Sequence, residues 1–280
     1  MSDLYDFTPK KQLYAVFGNP ISHSKSPLVH GLFAKEFGID MEYRAVHVDI
    51  GGFEQAVSGF QANGGNGLNV TVPFKLNAWK LADQLTDRAH LAGAVNTLTL
   101  DDAVKGDNTD GAGLVKDIEI NLSVPFVDTN ILIVGAGGAV RGILSPILER
   151  KPKLLVIANR TKGKADALAE IFTDVGNVKA SALDEAGSDV YDIIINATST
   201  GIHGELPQIS PRIFENTKLV YDLVYGKHPT RFMEWAKENG VDQIADGLGM
   251  LVEQAAESFN VWHGVMPQTI PVIQAVREKL

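Results

Sequence analysis

The stretch Asn130-Ile131-Leu132-Ile133-Val134-Gly135-Ala136-Gly137-Gly138-Ala139 carries the most information about the fold. Its apolar run predicts a buried strand, and the glycines that follow predict a tight turn into a helix. Backbone N–H groups at such a helix start, together with the helix dipole, can receive a phosphate group. The spacing is close to the dinucleotide fingerprint GxGxxG, although Val140 stands where the third glycine would be. A glycine-rich turn that binds no ligand therefore stays open as the alternative.

The residues after the next predicted strand indicate which dinucleotide this turn would bind. Asn159, Arg160, Thr161 and Lys164 lie there, and none of them is acidic. Proteins that bind NAD commonly place a carboxylate at this point, against the ribose hydroxyl. A guanidinium, a hydroxyl and an ammonium can instead surround a 2′-phosphate, so the pattern favours NADP(H) over NAD. The alternative is that Arg160, Lys162 and Lys164 form only a solvated helix face.

Short apolar runs alternate with longer amphipathic stretches along the chain, which is typical of an α/β fold with mainly parallel strands. We predict strands over residues 13–17, 43–48, 67–72, 130–134, 154–158, 193–196, 219–223 and 242–245. Helices are predicted over residues 26–37, 53–61, 139–150, 251–262 and 269–278. The five predicted strands from residue 130 onward would form a Rossmann-like parallel sheet.

An interruption of the apolar periodicity around Pro125 divides the chain into two predicted domains. We place the change between residues 111 and 128. The first domain, an α/β substrate-binding domain, would cover residues 1–110, and the Rossmann-like nucleotide domain would cover residues 111–249. The helices within residues 250–280 would return to the first domain. Because open α/β sheets bind ligands at the carboxyl ends of their strands, the expected site is a cleft between the two domains.

Composition excludes several classes of function. The chain has 280 residues, of which 45% are hydrophobic and 21% charged, as in ordinary globular proteins. A net charge of -9 argues against nucleic-acid or anionic-membrane partners, which need clustered positive potential. Cysteine is absent, which excludes disulfides and thiolate chemistry and favours a cytoplasmic location. The histidines have no metal-ligand spacing and no apolar stretch is long enough to span a membrane, so neither a metal nor a membrane is predicted.

Two polar motifs supply the candidate catalytic side chains. Lys75 ends the stretch Asn69-Val70-Thr71-Val72-Pro73-Phe74-Lys75, and Asp110 lies in Asn108-Thr109-Asp110-Gly111. A lysine and an aspartate in one cleft can handle the proton of an alcohol or ketone while a nicotinamide exchanges the hydride. Taken singly, Lys75 would be a surface lysine and Asp110 a turn residue. The prediction is therefore that the two side chains meet.

An ordered set of short segments runs through the chain. The segments are Gly18-Asn19-Pro20-Ile21-Ser22-His23-Ser24-Lys25-Ser26-Pro27, Asn69 to Lys75, Gly93-Ala94-Val95-Asn96-Thr97, Gly106-Asp107-Asn108-Thr109-Asp110-Gly111, residues 135–139, Asn159-Arg160-Thr161, Asn196-Ala197-Thr198-Ser199 and Asp246-Gly247-Leu248-Gly249-Met250-Leu251-Val252-Glu253-Gln254-Ala255. Any one segment could arise by chance, whereas the ordered set is specific. The set resembles the shikimate dehydrogenase family over essentially the whole chain.

The resemblance implies an oxidoreductase that reversibly reduces 3-dehydroshikimate to shikimate with NADPH, in chorismate and aromatic amino-acid biosynthesis. Lys75 and Asp110 would be the catalytic residues, with Lys75 supplying the proton directly or through Asp110. The implied substrate site consists of Ser24, Ser26, Thr71, Lys75, Asn96, Asp110, Tyr225 and Gln254. The implied NADP(H) site consists of Gly135, Ala136, Gly137, Gly138, Ala139, Asn159, Arg160, Thr161, Lys164, Leu223 and Gly247. Leu223 and Lys164 stand where methionine and arginine are frequent in bacterial members.

Three alternatives remain open at this point. A quinate/shikimate dehydrogenase that uses NAD is disfavoured by the lack of an acidic residue at Asn159 to Thr161. Another two-domain dehydrogenase is disfavoured by the loop Ser22-His23-Ser24-Lys25-Ser26-Pro27. A non-catalytic NADPH-binding regulator is disfavoured by the presence of both Lys75 and Asp110. The expected partners are small molecules, and the sequence leaves open whether the protein is a monomer or a homodimer.

Overall fold

Two six-stranded sheets organise residues 11–198 and 205–280, the part of the chain that this computed structural model describes. The first sheet contains β1 (Gln12–Gly18), β2 (Met41–His47), β3 (Gly65–Val70), β4 (Gln84–Leu85), β5 (Thr97–Leu100) and β6 (Val104–Asp107). The second sheet contains β7 (Asn130–Val134), β8 (Leu154–Asn159), β9 (Val178–Ala182), β10 (Ile193–Asn196), β11 (Leu219–Asp222) and β12 (Gln243–Asp246). Ser199, the last residue of one quoted segment, and residues 1–10 of the predicted first domain lie outside the described residues.

The second sheet is parallel throughout, with the strand order β12-β11-β10-β7-β8-β9. The chain runs outward from β7 in one direction through β8 and β9, and then in the other through β10 to β12. This is the Rossmann order, and its switch point lies between β7 and β10. The predicted Rossmann-like sheet is confirmed, with one more strand than expected because β9 extends the edge beside β8.

The first sheet is mixed and has the order β2-β1-β3-β5-β6-β4. The predicted strands β1, β2 and β3 are parallel, whereas β5 pairs antiparallel with both β3 and β6. Sequence patterning did not predict β4, β5 or β6. The antiparallel pairing has a consequence for function, because it brings Asn96, just before β5, and Asp110, shortly after β6, to the same end of the sheet as Lys75.

Helices cover both sheets. They are α1 (Ser26–Phe37), α2 (Phe53–Ala62), α3 (Lys75–Leu81), α4 (Asp87–Ala92), α5 (Asp110–Lys116), α6 (Gly138–Leu148), α7 (Lys162–Ile171), α8 (Arg231–Glu238), α9 (Leu248–His263) and α10 (Ile270–Arg277). Helix α5 continues into a π-helical turn over Asp117–Asn121. The second sheet has an apolar cluster on each face, which explains why its strands are continuous apolar runs.

The C-terminal helices pack against the first part of the chain, as the sequence predicts. Val29 and Phe33 of α1 form one buried cluster with Val252 and Phe259 of α9 and with residues of α10. Close packing of such side chains stabilises the pairing by about 25 cal/mol for each Å² of apolar surface removed from water. Among the described residues, no helix is long and apolar enough to cross a membrane.

Candidate active site

A cleft of about 380 Å³ lies among residues that follow β1 and β3 of the first sheet and β11 and β12 of the second. All the residues predicted for the substrate site line it. They are Ser24, Ser26, Thr71, Lys75, Asn96, Asp110, Tyr225 and Gln254. The structure therefore brings together side chains from segments that are far apart in the sequence. His23, Asn69 and Met250 also line the cleft.

Lys75 and Asp110 form an ion pair in this cleft. Lys75 is the first residue of α3 and Asp110 the first residue of α5, so each side chain leaves a helix start beside the carboxyl end of β3. The side chains are 21% and 9% exposed, respectively. One oxygen of Asp110, Oδ2, faces the Lys75 ammonium, and the other, Oδ1, accepts a hydrogen bond of 2.9 Å from Asn96 Nδ2. The predicted pairing is confirmed.

Asn96 joins the acid/base pair to the C-terminal helix. Its Nδ2 lies 2.9 Å from Asp110 Oδ1 and 3.2 Å from Gln254 Oε1, while its Oδ1 accepts a 2.9 Å bond from the Thr109 backbone N–H. Asn96 is itself buried and fixed by a backbone bond of 3.0 Å from its N–H to Asp107 O. These bonds hold amide and carboxylate groups at set positions around the cleft, as a polyhydroxylated ligand requires.

Asn69 is a buried polar residue of the cleft that sequence reasoning did not assign to the site. Its Oδ1 accepts a 2.7 Å bond from the Tyr43 hydroxyl, and its Nδ2 donates to Ser258 Oγ at 2.9 Å. The sequence does indicate a hydrogen-bonding role for Asn69, because an asparagine in a buried strand nearly always has a hydrogen-bond partner. Asn69 connects β3 with β2 and α9, so it supports the wall on which Thr71 lies.

The residues predicted for the nucleotide site divide between two cavities. A second cavity of about 430 Å³ is lined by the predicted residues Gly135, Ala136, Gly137, Asn159, Arg160, Thr161 and Lys164. Gly138 and Ala139 begin α6 just behind this lining, and Gly138 is the first residue of that helix. Leu223 and Gly247 instead line the cleft that holds Lys75. An extended dinucleotide that occupied both cavities would therefore reach the acid/base pair with one end.

The glycine-rich turn has the geometry that a pyrophosphate needs. Gly135 has φ of +118°, a backbone conformation that side-chain-bearing residues rarely adopt. A Cβ added at Gly137 or Gly138 would meet nothing within 4 Å, so the space in front of both residues is open. The N–H groups at the start of α6 and the helix dipole favour an anion in that space. These residues fit a dinucleotide.

The basic residues after β8 separate into two groups. Lys162 pairs with Asp166 at 2.5 Å, one helical turn further along α7, and so belongs to the solvated helix face. Arg160 and Lys164 line the second cavity, and within residues 11–198 and 205–280 neither has an ion-pair partner. Asn159 Nδ2 donates a 2.9 Å bond to Thr161 O, which orders the loop that carries them. The arrangement fits a 2′-phosphate.

A buried carboxylate fixes the loop between the two cavities. Asp222, the last residue of β11, accepts bonds from the Thr230 hydroxyl at 2.6 Å, from Asn196 Nδ2 at 3.0 Å and from the Val224 N–H at 3.0 Å. Burial raises the pKa of Asp222, although these hydrogen bonds act in the opposite direction. These hydrogen bonds fix the position of Leu223, which directly follows Asp222 and lines the cleft.

The protein has a glycine-rich turn at the switch point of a parallel sheet and a separate cleft that holds an acid/base pair. This is the arrangement of α/β oxidoreductases that use a pyridine dinucleotide. Three family models match the chain. They are described as "Shikimate dehydrogenase substrate binding domain" over residues 16–98, "Shikimate / quinate 5-dehydrogenase" over residues 119–203 and "Shikimate 5'-dehydrogenase C-terminal domain" over residues 247–277.

Similar proteins agree with these matches. "Shikimate dehydrogenase (NADP(+))" of Nitrosospira multiformis is 50% identical over 269 residues, which are 96% of this chain and 98% of that protein. The crystal structure of the Ael1 enzyme from Pseudomonas putida has a TM-score of 0.91 at 45% identity and covers 95% of this chain and 98% of that one. Shikimate 5-dehydrogenase from Thermus thermophilus, solved in complex with NADP(H) and shikimate, has a TM-score of 0.87 at 29% identity and covers 96% of this chain and 100% of that one. The chain belongs to the shikimate dehydrogenase family.

Proposed function

We propose that this protein catalyses the reversible NADP(H)-dependent reduction of 3-dehydroshikimate to shikimate, as in chorismate and aromatic amino-acid biosynthesis. The observation that carries the proposal is the Lys75–Asp110 ion pair in a cleft that Leu223 and Gly247, two residues predicted for the nucleotide site, also line. The names of the similar proteins, which specify shikimate and NADP(+), support the same reaction. They do not support the NAD-using or non-catalytic alternatives.

The substrate would be held by hydroxyl, amide and carboxylate groups on opposite walls of the cleft. The Ser24 and Ser26 hydroxyls would donate to the substrate carboxylate, while Thr71, Asn96, Tyr225 and Gln254 would bind its carboxylate or ring hydroxyls. Ser24 lies in the loop after β1, where its N–H donates a 3.0 Å bond to Ile21 O. A buried hydroxyl or amide left without its partner costs about 1 to 3 kcal/mol. A ligand that lacked one hydroxyl would therefore bind less well.

Lys75 would hold the proton that the ketone oxygen needs, and Asp110 would orient its ammonium. When bound, NADPH supplies the hydride for the C3 ketone. Lys75 would donate its proton to the oxygen directly, or Asp110 would relay it, and shikimate oxidation would return the proton by the same route. The hydrogen bond from Asn96 to the second oxygen of Asp110 keeps the first one turned toward Lys75.

The dinucleotide would lie along the carboxyl edge of the second sheet. We assign its pyrophosphate to the turn formed by residues 135–139 and its 2′-phosphate to Asn159, Arg160, Thr161 and Lys164. Leu223 and Gly247 would contact the nicotinamide end, because both line the cleft that contains Lys75.

The proposed site assignments also suggest how the chain divides into domains. We assign residues 1–110 and 250–280 to the substrate-binding domain and residues 111–249 to the nucleotide domain. The two separate sheets and the packing of α9 and α10 against α1 support this division. We also propose a cytoplasmic protein, since a cysteine-free chain needs no oxidising compartment, and an assembly no larger than a homodimer.

Removal of the Arg160 guanidinium should change the cofactor preference. In Arg160→Ala we expect NADP+ to bind about 10 to 100 times more weakly and the binding of NAD+ to change by less than about twofold, because only NADP+ carries a 2′-phosphate for the guanidinium. Titration calorimetry with each dinucleotide measures both constants. Lys162→Ala is the matched control, since Lys162 pairs with Asp166. An equal loss of both dinucleotides would refute the 2′-phosphate contact.

The reaction itself is tested by initial rates of NADP+ reduction with shikimate, measured beside quinate and NAD+ as substitutes. Fast turnover only with shikimate and NADP+ is the expected result. Comparable rates with quinate or NAD+ would instead identify a quinate/shikimate dehydrogenase. Absence of turnover with every pair, in protein that still binds NADP+, would identify a regulator.

A further inference from the structure

A group of buried and partly buried polar side chains lies behind the cleft, where three elements meet. It consists of Lys116, Asp117, Asn121, Tyr221 and Glu253, which we call the junction cluster. Lys116, Asp117 and Asn121 belong to α5 and its π-helical extension, Tyr221 to β11 and Glu253 to α9. Asp117, Tyr221 and Glu253 are almost completely buried. None of these residues belongs to the sites assigned above.

The hydroxyl of Tyr221 connects all three elements. Its hydroxyl donates a 2.7 Å hydrogen bond to Asp117 Oδ2 and accepts a 3.2 Å bond from the backbone N–H of Met250. Met250 lies in the first turn of α9 and lines the cleft. One hydroxyl therefore links a strand of the second sheet to both helices, and nothing else in the Tyr221 side chain is polar.

The remaining members hold α5 against α9. Asn121 Nδ2 bridges Asp117 Oδ1 and Glu253 Oε1, each at 2.9 Å, and the Lys116 ammonium lies 2.8 Å from Glu253 Oε2. The Asp117 carboxylate also packs directly against Gly249. A Cβ added at Gly249 would overlap the carboxylate atoms, so this contact requires glycine. Burial raises the pKa of Asp117, and a buried hydrogen-bonded carboxylate of this kind tolerates little displacement.

A residue of the proposed active site lies on each joined helix and directly after the joined strand. Asp110 begins α5, Gln254 follows Glu253 on α9, and Leu223 lies two residues after Tyr221. Leu223 is on the cofactor side of the cleft, whereas Asp110 and Gln254 are on the substrate side. The junction cluster therefore connects the two sides through side chains that line neither cavity. A change there would alter the distance between the two sides and would remove no residue assigned to either ligand.

We propose that Tyr221 is a positioning residue for hydride transfer, because its hydroxyl fixes the strand that directly precedes Leu223 against the helices that carry Asp110 and Gln254. This inference rests on the proposed function. Hydride transfer depends steeply on the separation of donor and acceptor, and a misplacement of about 1 Å can lower a rate on the order of a hundredfold. Binding of either ligand alone depends on that separation much less.

The test is Tyr221→Phe, which removes only the hydroxyl. We expect kcat for shikimate oxidation to fall about tenfold or more, while KM for shikimate and the calorimetric Kd of NADP+ change by less than about twofold. The primary isotope effect on kcat with C3-deuterated shikimate should increase, because hydride transfer then limits turnover more fully. A merely structural role would not produce this split between kcat and the binding constants.

Tyr191→Phe is the matched control. Tyr191 is also fully buried in the second part of the fold, but its hydroxyl has no hydrogen-bond partner among the described residues. We expect Tyr191→Phe to retain kcat, KM and the isotope effect. If Tyr221→Phe behaves like Tyr191→Phe, or if its KM and Kd rise as much as kcat falls, the inference is overturned.

A second variant covers the case in which Tyr221→Phe does not fold. Asn121→Ala breaks the bridge between Asp117 and Glu253 at a partly exposed residue, and it should lower kcat by a larger factor than it raises the KM for shikimate, with the Kd of NADP+ unchanged. An unchanged kcat in Asn121→Ala would then overturn the inference. Absence of shikimate turnover in the unmodified protein would overturn the proposed function instead, so the two failures are distinguishable.

Discussion

Lys75→Ala should lower the turnover of shikimate by about a hundredfold to ten-thousandfold, the usual contribution of a general acid/base group. The Kd of NADP+ should change by less than about twofold, because Lys75 lies in the cleft and not in the cavity of the glycine-rich turn. Steady-state rates and calorimetry on the same preparation measure both quantities. A loss of kcat with intact cofactor binding is the signature of a group that acts in the transition state.

The control for Lys75→Ala is Lys80→Ala, which removes an exposed ammonium from the last turn of the same helix. Both variants lower the positive charge equally, so general electrostatic effects on an anionic substrate are matched. Lys80→Ala should keep its turnover. If Lys75→Ala also kept most of its turnover, Lys75 would not be the acid/base residue, and Asp110 would need a different proton source.

The sequence predicted which residues line the cleft better than it predicted the sheet that forms the cleft. Gly-rich, Ser/Thr-rich and Asn/Asp-rich motifs depend on local chemistry, so they can be recognised before any contact is known. Ser24 and Gln254 come from opposite ends of the chain, yet both line one cleft with Lys75. The resemblance to a family gave this set, whereas residue patterns alone gave the lysine, the aspartate, the glycine-rich turn and the basic residues after β8.

The missed strands β4, β5 and β6 were too short to show a strand pattern, and β6 is also polar. β5 and β6 have four residues each, and β6 includes a lysine, a glycine and an aspartate. Their pairing comes from tertiary context, in which β5 completes the hydrogen bonds of β3. The edge strand β9 was missed for a similar reason, since it is only partly buried and reads as polar loop.

The junction cluster could not be predicted from the sequence at all. Tyr221 looks like an ordinary aromatic strand residue, and Lys116, Asp117 and Asn121 look like the exposed face of a helix. Only the packing of the folded chain buries Asp117 and Tyr221 and makes their hydrogen bonds necessary. Contacts between elements that are distant in sequence leave no local sequence pattern. Residues that position other residues through such contacts can therefore be recognised only in a structure.

Gly113→Ala should destabilise the protein and impair catalysis at the same time. A Cβ at Gly113 would lie 2.7 Å from Gln254 Cβ and 2.8 Å from Gln254 Cα, so it would push α5 away from α9. Overpacking of this kind costs about 1 to 3 kcal/mol, and more where backbone atoms block relaxation. For a chain of this size we expect a loss of roughly 5 to 10 °C in Tm, measured by calorimetry.

Gly59→Ala is the matched control for Gly113→Ala. Gly59 also lies within a helix, α2, but a Cβ added there would meet nothing within 4 Å. Alanine is favoured over glycine inside a helix by about 1 kcal/mol, so Gly59→Ala should keep or raise the Tm. The same substitution should therefore have opposite effects at the two positions, because only at Gly113 does the opposing backbone exclude a methyl group.

The catalytic consequence of Gly113→Ala follows from what the two helices carry. Asp110 lies on α5 less than one turn before Gly113, and Gln254 is the residue that the new methyl group would contact. Separation of the helices would lengthen the contacts of both residues with Asn96, so the substrate KM should rise as well as kcat fall. NADP+ binding should change little, because the turn of residues 135–139 is not in the contact. A variant with normal Tm and normal KM would mean that α9 can shift without moving the substrate groups, which would contradict the rigid helix pairing that also underlies the role of Tyr221.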